Sequence, residues 1–112
     1  MVDYVGIELS WYPGKILKKL LGSTHSVIIE SVEGLDPADV YREVSKLERA
    51  LEKAGYIPVR ASDIGPDVRV HVLLSSGGVV YIVENTSEHP IRYEDHVVGP
   101  RGVLAFACAL TP

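Results

Sequence analysis

The chain has no glutamine and only one asparagine, Asn85, in 112 residues, while Glu, Lys, Arg and Val are plentiful. Depletion of thermolabile amides belongs to the pattern of proteins that work hot, and it points to a thermophilic source. Cysteine is almost as scarce. The single thiol, Cys108, excludes an intrachain disulfide and suits a reducing, cytoplasmic compartment. Long hydrophobic runs are missing as well. The longest, residues 103–110, is far too short to cross a bilayer as a helix. Met1-Val2-Asp3-Tyr4 has no basic stretch leading into an apolar one, so no secretory leader is read. Basic excess is also lacking, with 11 Lys and Arg against 15 Asp and Glu and a formal net charge of -4. A strong hold by the whole molecule on nucleic acid or an anionic membrane is therefore not expected. Gly14-Lys15 lacks the glycine-rich lead and the following Ser or Thr of a phosphate-binding loop. Ser75 and Ser76 sit in no nucleophile-elbow pattern.

What is present is the ordinary mix of one folded domain, 46% apolar and 23% charged, over a length that suits a single core. Val5, Ile7 and Leu9 recur at period two, which predicts a strand over residues 2–9 with one buried side. Trp11-Tyr12-Pro13-Gly14 breaks it. A short helix is expected over about 13–21, with Ile16, Leu17, Leu20 and Leu21 as its stripe and Gly22 ending it. Residues 25–32 read as a second strand.

The clearest element follows. Asp36 is a good N-cap, Pro37 suits the first helical position, and Asp39 adds negative charge to the first turn. Val40, Val44, Leu47, Leu51 and Ala54 recur at steps of four, three, four and three, which predicts an amphipathic helix over about 37–54 that Gly55 stops.

Beyond it the period changes to two. Residues 57–60 form a short strand and 63–67 a turn. Two strands, 68–74 and 79–84, flank Ser75-Ser76-Gly77-Gly78, a hairpin signal of open register. A turn at Ser76-Gly77 sets Arg69 opposite Glu84, whereas one at Gly77-Gly78 sets His71 there. The last strand, 103–110, is apolar on both faces, one carrying Leu104, Phe106, Cys108 and Leu110, the other Val103, Ala105, Ala107 and Ala109. It belongs inside a sheet, its alanine face closely covered by a helix or another subunit. The fold expected is α+β, a mostly antiparallel sheet of five to six strands with the long and the short helix packed on it. Residues 86–101 are polar and long for a loop in so small a domain, and they contain two short stretches, 91–93 and 96–98, that could pair.

Two segments could carry function. Glu88, His89, Glu94, Asp95 and His96 place two imidazoles and three carboxylates within nine residues. These groups ligate divalent metals and do acid–base work. With His71 folded in, His89, His96, Glu94 and Asp95 make a candidate set for a divalent metal and a metal-assisted hydrolase. Their spacing matches no established metal pattern, and charged residues in a surface loop are ordinarily just solvated. The other segment is Trp11, Tyr12 and Lys15, with Lys18 and Lys19 after them. Aromatics beside lysines stack bases or grip phosphates, though an aromatic pair at a strand-to-helix corner is more often a core plug. Arg101, within Gly99-Pro100-Arg101-Gly102, is a candidate anion contact, against the plainer reading of a tight turn. Cys108 between alanines reads as a small buried hydrophobe.

No catalytic set stands out. The leading expectation is a non-enzymatic binding or interaction module that forms a homodimer, with the alanine face as its contact surface. A metal-assisted hydrolase using residues 88–96, and a small nucleic-acid-associated protein using residues 11–19, are the alternatives.

Overall fold

The computed structural model describes residues 3–4, 27–75 and 78–109. Its elements are β1 (Asp3–Tyr4), β2 (Val27–Val32), α1 (Pro37–Lys53), β3 (Ile57–Gly65), β4 (Val68–Leu74), β5 (Gly78–Asn85), β6 (Ile91–Tyr93), β7 (His96–Val98) and β8 (Gly102–Ala109). Six strands form one sheet in the order β1-β2-β8-β5-β4-β3, and β6 pairs with β7 in a separate ribbon. Every pairing is antiparallel except β1 with β2. The expected α+β class and mostly antiparallel sheet are therefore present. The short helix over 13–21, and all but Asp3 and Tyr4 of the strand over 2–9, lie outside the described residues.

Helix α1 follows its sequence signals closely. Asp36 takes an extended N-cap backbone and Pro37 opens the helix, although the Asp36 side chain makes no capping hydrogen bond. At the far end Gly55 has φ +96, which a residue with a Cβ rarely adopts. Gly55 N donates to Glu52 O at 3.0 Å and Tyr56 N donates to Leu51 O at 2.9 Å, the paired bonds of a Schellman cap. The helix thus ends at Lys53, one residue short of expectation. Val40, Val44, Leu47 and Leu51 are buried on one stripe. They pack on Ile29, Leu73, Val80, Ile82, Val103, Ala105 and Ala107 of the sheet.

Ala105 and Ala107 of β8 thus serve the helix, not a second subunit. Ala105 and Ala107 are wholly buried beneath α1, where small side chains let the helix approach the sheet. This corrects the proposed contact face for a dimer. The other face of the sheet is covered by the β6–β7 ribbon. Val98, Ile91 and Tyr93 from the ribbon pack with Val70, Val83, Leu104 and Phe106. Residues 86–101 are therefore ordered, with strands where the two short stretches had suggested them.

Two other boundaries moved. Strand β3 runs on to Gly65 instead of turning at Asp63, and only Pro66 and Asp67 are left as the turn into β4. Register shifts between Pro58 and Arg60 and between Asp63 and Gly65 let this strand keep pairing across its irregular residues. The β4–β5 register is the first of the two alternatives, with Arg69 opposite Glu84 and Leu74 opposite Val79. Ser75 N donates to Gly78 O at 2.9 Å and closes that hairpin.

Candidate functional site

Alternation along β4 decides where the histidines go. Residues 69, 71 and 73 point to the helix side of the sheet, whereas the ribbon carrying His96 lies on the opposite side. His71 is buried, and each of its ring nitrogens faces a carboxylate. Nε2 lies 3.0 Å from Glu84 Oε1 and Nδ1 lies 3.7 Å from Glu48 Oε2. Although Arg69 is opposite Glu84 in register, the close side-chain contact is the diagonal one from His71. Arg69 turns outward, its Nε donating to Asp63 Oδ1 at 2.8 Å. That bond holds the Asp63 carboxyl below its ordinary range.

His96 is buried for a different reason. The ribbon turns at Glu94 and Asp95, with Glu94 at φ 56, and the next residue points inward. The imidazole lies over Phe106, ring centres 4.2 Å apart. Burial lowers its pKa from the ordinary value, partly opposed by the nearby Asp95 and Glu94 carboxylates. Phe106 in turn stacks on Tyr81 at 5.1 Å, and Tyr93 tilts against both rings.

An open cleft of about 280 Å³ lies here, lined by Tyr81, Glu94, Asp95, His96, Phe106 and Cys108. The Cys108 thiol is partly exposed, and burial together with the Glu94 charge pushes its pKa up. Both effects disfavour the nucleophilic thiolate.

The candidate metal set does not assemble. Glu94, Asp95 and His96 share the cleft, His71 lies on the other side of the sheet, and His89 is exposed. Among the described residues no group of three or more His, Cys, Asp or Glu is placed to hold an ion. Arg101 is part of a pinned turn. Its backbone N donates to Ser87 O at 2.9 Å and its carbonyl accepts from Leu35 N at 3.0 Å. Its guanidinium Nε faces Glu88 at 3.5 Å, so the side chain already has an anionic neighbour from its own fold. Trp11, Tyr12, Lys15, Lys18 and Lys19 lie outside the described residues.

Two features of the site escaped the sequence reading. Tyr81 and Phe106 become a wall only because β5 lies beside β8 with those two residues in register. Their alternation in sequence gave the face but not the neighbour. Glu48 reaches His71 from the helix, a contact that depends on how α1 crosses the sheet.

One strand stands apart from this packing. β3 is one of the two edge strands of the sheet, and its residues are exposed or only half-buried along the whole length. Ile57, Val59 and Ile64 are each more than half exposed. No protein-family model matches the chain, and neither curated proteins nor solved structures give a match.

Proposed function

We propose that the chain is a non-enzymatic interaction module that acts as a homo-oligomer, two copies joining their sheets along β3. The observation that carries this reading is the nine-residue edge strand with Ile57, Val59 and Ile64 over half exposed. An edge strand offers a row of backbone donors and acceptors, and exposed apolar side chains add a reason to cover it. The strand is also complementary to itself. Antiparallel pairing about a two-fold axis at Ala61 sets Arg60 of each copy opposite Ser62 of the other, with no like charges facing. The same register sets Ile64 of one copy opposite Pro58 of the other, the residue between Ile57 and Val59. Pro58 and the two register shifts interrupt the outer edge near its ends. The regular stretch Arg60 to Asp63 is the part left to pair.

The separation of His71 from His96 across the sheet takes support from the hydrolase alternative. The test of the proposal is sedimentation velocity over a hundredfold concentration range, on the wild type and on Ala61→Lys. We expect a dimer for the wild type and a folded monomer for the variant, whose two lysines would meet at the axis. A wild type that stays monomeric throughout overturns the reading.

A further inference from the structure

We infer that two copies paired along β3 form an oxyanion site on their two-fold axis, where Arg60 and Ser62 of each copy bind a small tetrahedral anion of the phosphate class. The inference rests on the edge-strand dimer proposed above and assigns a ligand to its seam. It starts from the face of the sheet that each β3 residue takes. Residues paired across an antiparallel ladder carry their side chains on the same face. Arg60 is paired with Val72 and Ser62 with Val70, and both valines pack on the ribbon side of the sheet. Ala61 is paired with His71 and Asp63 with Arg69, on the helix side. The Tyr93 phenol of the ribbon reports the same placement. Burial raises its pKa first, the Glu94 and Tyr81 groups add to this, and the Arg60 charge opposes them.

The charges of the edge are thus sorted by face. On the helix side Asp63 already meets Arg69 at 2.8 Å. On the ribbon side exposed Arg60 is in none of the ion pairs among the described residues, and its neighbours across the ladder are valines. Glu94 and Asp95 lie on that side too, but at the cleft over Tyr81 and Phe106, with β4 between those strands and β3. Pairing about Ala61 sets Arg60 of each copy opposite Ser62 of the other, so the two Arg60 residues become diagonal neighbours about 7–8 Å apart. The seam gathers two guanidiniums and two hydroxyls on one face, and a single copy holds only half of that set. Two like charges at this spacing oppose pairing, whereas an anion held between them favours it. The guanidinium fork matches the oxygens of a phosphate. Four oxygens around a tetrahedral centre divide equally between the copies, one guanidinium and one hydroxyl to each pair. A planar carboxylate has only two oxygens for these four groups, and a cation is repelled.

The test is sedimentation velocity of the full chain in millimolar sodium phosphate and in sodium chloride of equal ionic strength. For the wild type the dimer dissociation constant is expected to be at least tenfold lower in phosphate. Arg60→Gln, an exposed substitution that leaves the backbone edge intact, is expected to dimerise with the same constant in both salts. Ser62→Ala is expected to keep only part of the phosphate effect. A wild-type dimer of equal affinity in the two salts overturns the inference and leaves the edge dimer standing. A wild type that is monomeric in both overturns the dimer as well. Retention of the full phosphate effect by Arg60→Gln places the anion elsewhere and also overturns the inference.

Discussion

Asn85, the chain's only asparagine, is completely buried at the end of β5. Its Nδ2 donates to the carbonyls of His89 at 2.9 Å, Gly99 at 3.0 Å and Val98 at 3.3 Å. Its Oδ1 accepts from Ser87 N at 3.0 Å and from Ser87 Oγ at 2.7 Å. One amide thus ties both ends of the segment bearing the ribbon to the sheet. Asn85→Ala leaves several buried groups unpaired, and urea unfolding should show a loss of roughly 2–4 kcal/mol. Asn85→Asp should be worse, because a carboxylate would then face carbonyl oxygens. The rarity of asparagine made this residue conspicuous in the sequence, but its task depends on three carbonyls brought in from residues 89–99. No local pattern encodes that.

Glu30 is the second residue whose environment makes a measurable claim. It faces Glu43 of the helix, and its pKa is raised to about 8, first by burial, then by the hydrogen bond and charge of Glu43, with Lys46 opposing. Its ordinary value is 4.5. In the folded protein the group keeps its proton up to about pH 8, while the unfolded chain gives it up near 4.5. The folded state therefore binds more protons between those values, and stability falls as pH rises through that window. Glu30→Gln removes this dependence. Thermal melts should show the variant gaining on the wild type from pH 5 to pH 8, with the difference flat below pH 4; a constant difference across the range would contradict the assignment.

Among the elements, α1 was the most legible, because its caps and its stripe all fall within one short window of sequence. Pro37, Gly55 and the buried Val40, Val44, Leu47 and Leu51 stand where the sequence placed them. The two-sided burial of β8 was legible for the same reason, but not which neighbour would cover the alanines. Both a helix and a second subunit satisfy small side chains, and only the crossing of α1 decides between them. That decision predicts a mutational contrast. Ala105→Leu should destabilise the folded monomer by roughly 1–3 kcal/mol through overpacking beneath the helix. Leu47→Ala, which removes a wholly buried side chain of the same cluster, should cost roughly 2–5 kcal/mol. An Ala105→Leu protein with wild-type stability in chemical denaturation would mean that the helix does not sit where it is described. Strand β3 was read short for a related reason. Its polar residues Ser62 and Asp63 look like a turn until pairing with β4 is known, and an edge strand can carry them because little of it is buried.

On the scale of the whole molecule, the sheet has one face packed on α1 and the other on the β6–β7 ribbon, and β3 is an exposed edge of it. The proposed assembly uses that edge. The candidate metal set illustrates why sequence proximity was a poor guide at this scale. Glu94, Asp95 and His96 are neighbours in both senses, but His71 is separated from them by the thickness of the sheet. The central claim concerns backbone groups, so the most direct measurement is amide hydrogen exchange along β3, followed by NMR at low and high protein concentration. The account predicts that the outward N–H groups between Arg60 and Asp63 exchange fast in dilute solution and become protected as concentration rises, while α1 and β8 are unaffected. If those amides exchange equally fast at both concentrations while a dimer is present by mass, the copies meet elsewhere and the edge-strand account is wrong.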